Sequence, residues 1–201
     1  MTDFDTVSSR TVYTGQVLTL RADEVRMPGG EVKVREVVEQ PGAVGIVALD
    51  EQDQVVLIRQ YRHPVGDWLI ELPAGLLDEP GEKAYATAAR ELAEEVVLTA
   101  RRWDVLVDLR NSPGLSTEAV RIYLARDLAP VPEADRYVGV DEEADLEVHR
   151  RPLDEAVAAV FTGEIENALA VSGLLATAYS REHGWSTLRP VDTPWPARPD
   201  H

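Results

Sequence analysis

Four glutamates and one arginine within a short stretch carry the strongest chemical signal in the chain: Glu82, Arg90, Glu91, Glu94 and Glu95. The residues from about Glu82 to Val96 are good helix formers, with Ala84, Ala86, Ala88, Ala89, Leu92 and Ala93 among them. On a helix Glu91 and Glu95 share one face, Glu94 borders it, and Arg90 sits one turn before Glu94, close enough to hold it by a charge-assisted bond. Like charges at this spacing repel, and the carboxylates fall toward the C-terminal end of the helix, where the macrodipole disfavours anions. Something positive belongs among them. Oxygen donors without His or Cys suit Mg²⁺ or Mn²⁺. Taken alone, in a chain with 36 Asp and Glu, the three glutamates Glu91, Glu94 and Glu95 read better as a solvated acidic helix face, so the wider pattern has to decide.

The bulk composition narrows the partners. A net charge of -16 repels phosphate backbones and anionic lipid, so neither nucleic acid nor membrane is expected as a partner. A small anionic ligand remains compatible, provided that Arg, Lys or bound metal supplies cations locally. The chain has no cysteine, which excludes disulfides, thiolate metal sites and cysteine nucleophiles. The stretch Met1 to Leu20 is polar and mixed in charge, with no basic start leading into an apolar run, so no signal peptide is expected and the expected location is cytoplasmic.

The elements that must position the acidic helix follow from periodicity. Strands are expected from Val17 to Gln40, broken by the turn Pro28-Gly29-Gly30; Ala43 to Leu49 reads as a buried strand and Val55 to Tyr61 as the next. After the helix come strands at Trp103 to Leu109, Ala119 to Ala125 and Leu146 to His149, an acidic, turn-rich stretch at Val131 to Ala144, and helices at Asp154 to Phe161 and Ile165 to Glu182. The tail from Pro190 carries four prolines and is expected to be loose or draped over a partner. The order predicts an α/β protein with a mixed sheet flanked by helices. Three parts are expected: an N-terminal β segment over 1–41, a main domain over 42–189 and a Pro-rich tail over 190–201.

The full spacing around the helix resembles the Nudix box. Gly75 is followed by six residues and Glu82, then seven residues and Arg90-Glu91-Leu92-Ala93-Glu94-Glu95, with the aliphatic Leu98 closing the motif. The first gap is one residue longer than the family form, a length that the ADP-ribose pyrophosphatase branch tolerates. Val97 stands where the box has glycine, and a β-branched residue is expected to resist the left-handed conformation that glycine gives a helix end. Further segments resemble the same branch: Arg35-Glu36-Val37-Val38, Arg59-Gln60-Tyr61-Arg62, Glu71-Leu72-Pro73-Ala74-Gly75, Ser112-Pro113-Gly114 and Asp141-Glu142-Glu143-Ala144-Asp145-Leu146. Each alone has a plain reading as surface charge or ordinary turn; their order around the box is what counts.

The resemblance implies a Nudix-type α/β/α sandwich with a small N-terminal antiparallel segment, acting as a metal-dependent pyrophosphohydrolase on ADP-ribose, with AMP and ribose 5-phosphate as products. Glu91, Glu95, Glu94 and the backbone carbonyl of Ala74 are the implied metal ligands, with Arg90 and Glu82 orienting the carboxylates. Glu142, or else Glu143, is the implied loop base. Arg35, Glu36, Arg59, Arg62, Gly75, Ser112 and Gly114 are the implied substrate contacts, and the N-terminal segment implies a homodimer. Hydrolysis of another nucleoside-diphosphate sugar or modified nucleotide, and a non-catalytic nucleotide-sensing module, stay open beside this reading.

Overall fold

In a computed structural model, which describes residues 4–79, 81–136 and 146–196, the chain divides into two compact units. One takes in the residues up to Gly42 together with Leu109–Val120; the other comprises Ala43–Asp108 and Arg121–Trp195.

The first unit holds an antiparallel sheet of β1 (Thr6–Thr14), β2 (Thr19–Arg26) and β3 (Val32–Glu39), in that order. The Pro28-Gly29-Gly30 turn joins β2 to β3 as expected, with Gly30 at φ 85° and its N–H bonded to the Met27 carbonyl. β1 is absent from the sequence expectation, which opens the strands at Val17. All nine of its residues are exposed, so the strand has no buried face and therefore none of the apolar alternation by which strands are recognised. Near its end β3 bonds to a later loop of the same unit: Val38 donates to the Leu115 carbonyl and accepts from Thr117 N–H.

The second unit is built on a sheet in the order β10-β5-β4-β9-β8-β11, with β6 also pairing β5 and β7 also pairing β4. The strands are β4 (Ala43–Leu49), β5 (Gln54–Arg62), β6 (Asp67–Glu71), β7 (Ala74–Leu76), β8 (Leu98–Arg110), β9 (Ala119–Pro130), β10 (Glu147–Pro152) and β11 (Arg189–Pro190); the helices are α1 (Ala84–Val96), α2 (Leu153–Thr162) and α3 (Ala168–Glu182). Every residue of β4 is buried because helices cover both faces of the sheet. On one face Val44, Ile46 and Ala48 join Ala84, Ala88, Leu92 and Val96 of α1 in a single core cluster. On the other, Gly45 and Val47 face Leu169 and Gly173 of α3. A Cβ at Gly173 would lie 2.7 Å from Leu72 Cδ1 and 2.9 Å from Val47 Cγ2, so α3 packs at a distance that only glycine allows. The layers are therefore α/β/α, as the sequence implies.

Several boundaries differ from expectation, among them a β8 that begins at Leu98 rather than Trp103 and a β9 that runs to Pro130 rather than Ala125. α1 begins at Ala84 rather than Glu82, and α3 at Ala168 rather than Ile165, where the Asn167 side chain accepts from Leu169 and Ala170 N–H and so fixes the start. Val97 adopts the left-handed conformation (φ 57°, ψ 37°) despite its branched side chain, with its N–H bonded to the Leu92 carbonyl. The tail is not loose over residues 189–195. β11 pairs with β8, Val191 and Trp195 pack on the α1-side core, and the buried Arg121 donates to the carbonyls of Thr193 and Pro194 while stacking on the Trp195 ring. No helix among the described residues is long and apolar enough to cross a membrane.

Arg121 and Arg189 both meet Asp108, at 2.7 and 2.9 Å. Burial alone would raise the Asp108 pKa, but the bonds from Arg121 and Arg189 outweigh it and hold the carboxyl below its ordinary value of 3.8. A depressed carboxyl stabilises the fold above its unfolded pKa and loses that contribution as pH falls through the folded value. Asp108→Asn is therefore expected to cost about 3 kcal/mol near neutral pH, because it strands Arg121 without its charge partner. Urea denaturation across pH should show the gap to wild type closing below the ordinary carboxyl range; a gap that is constant with pH would contradict this account.

Candidate active site

The site is assembled where α1 passes the short strand β7. The chain over 71–76 is held in place by β4: Gly45 pairs with Ala74, Val44 with Gly75 and Ala43 with Leu76, and Ile46 N–H donates to the Pro73 carbonyl. α1 then lays two carboxylates against this backbone. Ala74 N–H donates to Glu95 Oε2 at 2.9 Å. At Gly75 the missing side chain is the seat of Glu91, since a Cβ there would sit 2.1 Å from Glu91 Oε1 and 2.2 Å from its Cδ. Glu91 is buried as a result. Glu91 and Glu95, four residues apart, thus present their carboxylates to one turn of backbone, as helical spacing anticipates.

Arg90 holds the remaining acids. Its Nη1 lies 2.9 Å from Glu94 Oε2 and 2.9 Å from Glu91 Oε1, and its Nη2 lies 3.4 Å from Glu82 Oε2. Burial opposes its charge, but Glu82, Glu91 and Glu94 together hold the guanidinium pKa well above its ordinary value. Glu82 shows the complementary shift: burial would raise its pKa, while hydrogen bonds from Thr87 and Arg90 bring it below 4.5. The Thr87 hydroxyl lies 2.9 Å from Glu82 Oε2 and is fully buried. Glu79, Gly81, Glu82, Arg90 and Glu94 line an open cavity of about 570 Å³ along this side of the helix.

The implied substrate contacts have these partners. Arg62 makes a bidentate pair with the buried Glu71, at 2.9 and 2.7 Å. Arg59 stacks over the Trp68 ring at 4.7 Å and reaches the Glu147 carboxylate at 3.5 Å. Arg35, Glu36, Ser112 and Gly114 belong to the N-terminal unit. There Arg35 bonds its neighbour Val34 and the Met27 sulfur, and Ser112, at φ 48°, accepts from the amides of Leu115 and Ser116. Glu142 and Glu143 lie outside the described residues. Sequence reasoning gave no role to Thr87 or Glu71. Thr87 is a hydroxyl in a run of alanines and Glu71 is an acid ending an apolar strand; both polar breaks are visible, but neither reveals its partner.

Carboxylate oxygens from Glu91, Glu94 and Glu95 are the right donors for a hard divalent cation, and two of the three already sit on one backbone turn. Among the described residues, no group of three or more acidic or imidazole side chains is arranged to hold a metal ion; Arg90 pairs with Glu91 and Glu94, and the Ala74 amide bonds Glu95. The donors fit such a cation in kind, being carboxylate oxygens without imidazole or sulfur among them. The Ala74 bond engages its amide, not its carbonyl.

Residues 39–169 match the NUDIX domain, and residues 4–38 match the nucleoside diphosphate sugar hydrolase N-terminal domain. The chain is 50% identical over 199 residues to an ADP-ribose pyrophosphatase of Mycobacterium tuberculosis, covering 98% of this chain and 93% of the relative. It is 32% identical to an ADP-ribose pyrophosphatase of Bacillus subtilis over 81% of this chain and 86% of that one. Among solved structures it resembles an ADP compounds hydrolase with a TM-score of 0.78 at 26% identity, covering 93% of this chain and 98% of the other.

The contact between Gly75 and Glu91 is directly testable. Gly75→Ala is expected to cost about 1–3 kcal/mol by forcing the Glu91 carboxyl off its seat. In a Glu91→Ala background the same change should cost far less, because the obstruction is gone. Urea midpoints of the four proteins complete the cycle, and equal costs in both backgrounds would show that the seat does not exist.

Proposed function

Because the chain belongs to the Nudix family of pyrophosphohydrolases, we propose that it cleaves the pyrophosphate of ADP-ribose to AMP and ribose 5-phosphate with a divalent cation, Mg²⁺ or Mn²⁺. The observation that supports this reading is the placement of Glu91 and Glu95 against the backbone at Ala74 and Gly75, which brings to one turn two carboxylates of the kind that a hard cation takes. The choice of ADP-ribose is supported by the 50% identical relative of that name and by the nucleoside diphosphate sugar hydrolase match over residues 4–38.

In this reading Glu91 and Glu95 are the principal ligands, with Glu94 and the Ala74 carbonyl completing the set. A bound divalent ion supplies neutralisation of the two phosphates and acidifies a water molecule. Arg90 keeps Glu91 and Glu94 at fixed distances, and Glu82 keeps Arg90 in place, so the carboxylates need little rearrangement on loading. Glu142, or else Glu143, takes the proton from the attacking water. The water oxygen bonds to one phosphorus as the bond from that phosphorus to the bridging oxygen breaks, and the bridging oxygen leaves on the other product. Arg35, Arg59 and Arg62 are the groups proposed to meet the phosphates and adenine, with Glu36, Gly75, Ser112 and Gly114 as further contacts. In a chain of net charge -16, such arginines and the cation have to supply all the local attraction for an anionic substrate. A homodimer formed through the N-terminal sheet and a cytoplasmic location belong to the same proposal.

The test is product analysis with Mg²⁺ on ADP-ribose, other nucleoside-diphosphate sugars and diadenosine polyphosphates. AMP and ribose 5-phosphate are expected from ADP-ribose. Glu95→Gln is expected to lower kcat at least about 100-fold, more than loss of a supporting group outside the ligand set. Glu142→Gln is expected to lower it by about 10²–10⁴-fold, the range for a general base. Undiminished turnover by Glu95→Gln would refute the site, whereas preference for a different substrate would refute only the choice of ADP-ribose.

A further inference from the structure

Thr87 interrupts the alanines of α1, and it is fully buried. A helical threonine commonly bonds back to the carbonyl four residues earlier. Here that carbonyl, of Lys83, is 3.4 Å away, while Glu82 Oε2 is at 2.9 Å, so the shorter bond goes to the carboxylate. The positions explain why. Lys83 caps α1 without any side-chain bond, which puts Glu82 just before the cap and Thr87 at the fourth helical position. These two positions face each other at helix starts and are commonly joined by an apolar pair that fixes the angle at which the chain enters the helix. In this chain the pair is a hydroxyl and a carboxylate.

From this we infer that Thr87 is a positioning residue of the active site: its hydroxyl fixes Glu82, Glu82 fixes Arg90, and Arg90 sets the spacing of Glu91 and Glu94. Each link is a contact in the structure, at 2.9 Å from Thr87 to Glu82, 3.4 Å from Glu82 to Arg90, and 2.9 Å from Arg90 to both Glu91 and Glu94. Thr87 also lies one turn before Glu91 on the buried face of the helix, so the same segment is anchored from two sides. The depressed pKa of Glu82 agrees with the bond. The polar pair fixes a carboxylate oxygen as well as the backbone.

The inference rests on α1 being the catalytic helix, and the experiment separates the two. Thr87→Val removes the hydroxyl at nearly constant shape, and Thr87→Ser keeps it. On ADP-ribose with Mg²⁺, the valine variant is expected to lose about tenfold in kcat with KM unchanged, the size of effect seen when groups supporting metal ligands are removed; the serine variant is expected to stay close to wild type. A second readout needs neither metal nor substrate. The Arg90 guanidinium resonance in the NMR spectrum should show hindered rotation in wild type and Thr87→Ser, and averaged rotation in Thr87→Val. Wild-type turnover by the valine variant, or equal loss in the serine variant, would overturn the role in catalysis. An Arg90 resonance unchanged by Thr87→Val would overturn the chain of contacts itself, even for an enzyme with no turnover of any substrate offered.

Discussion

The structure depends on a close approach between a helix and a strand at Gly75. Two carboxylates must reach the same turn of backbone, and one of them, Glu91, occupies the volume where a side chain on residue 75 would be. Such an approach requires a rigid strand on one side and a helix held at a fixed height on the other. β7 has only three residues and could not hold itself; its pairing with the fully buried β4 makes it part of the sheet. α1 lies close to that sheet because its inward residues are small, with Ala84, Thr87 and Ala88 facing the core and Leu92 and Val96 filling the wider gap beyond. The helix on the opposite face is brought in by the same means at Gly173, so the sheet is pressed from both sides and close packing leaves it little room to yield.

Charge imposes the second constraint. Glu82, Glu91 and Glu94 converge on Arg90 in a protein whose acids outnumber its bases, 36 to 20. One guanidinium cannot neutralise three carboxylates, and the surplus of negative charge makes the cluster receptive to a further cation. Elsewhere in the second unit several basic side chains are committed to structural work: Arg121 and Arg189 to Asp108, Arg126 to Asp104 and the Trp185 ring, Arg181 to Asp53 and Asp154. Spending arginine on structure leaves positive charge scarce, so an anion is attracted only where cations are deliberately placed.

Much of the site was legible because it is local. Helical spacing alone puts Glu91 and Glu95 on one face and Arg90 against Glu94, and the structure shows both. What escaped depends on partners distant in sequence. Nothing near Gly75 announces that Glu91 will fill its place. Arg62 looks like a surface cation until Glu71 is folded back beside it. The tail reads as loose from its prolines, yet Val191 and Trp195 are apolar residues with a core to join, and Arg121 gathers the carbonyls between them. β1 escaped for the opposite reason: a strand exposed along its whole length has no pattern to read. The assignment of Glu142 or Glu143 rests on resemblance alone, since both lie outside the described residues.

Val97 shows how tertiary structure overrides a local preference, and why it has to do so here. A branched residue in the left-handed conformation costs roughly 1–2 kcal/mol, and glycine would avoid that cost. The conformation persists because the position is determined from three directions. Its N–H closes on the Leu92 carbonyl, its carbonyl accepts from Val131 N–H at the end of β9, and its neighbours Val96 and Leu98 are both buried. Only one residue separates Glu95 from this turn. If the last turn of α1 frayed, Glu95 would lose its bond to Ala74 and Glu94 its place beside Arg90. A helix that carries acids near its C-terminal end, against its own dipole, has a reason to fray there, so the latch at Val97 must come from the rest of the fold rather than from the helix itself.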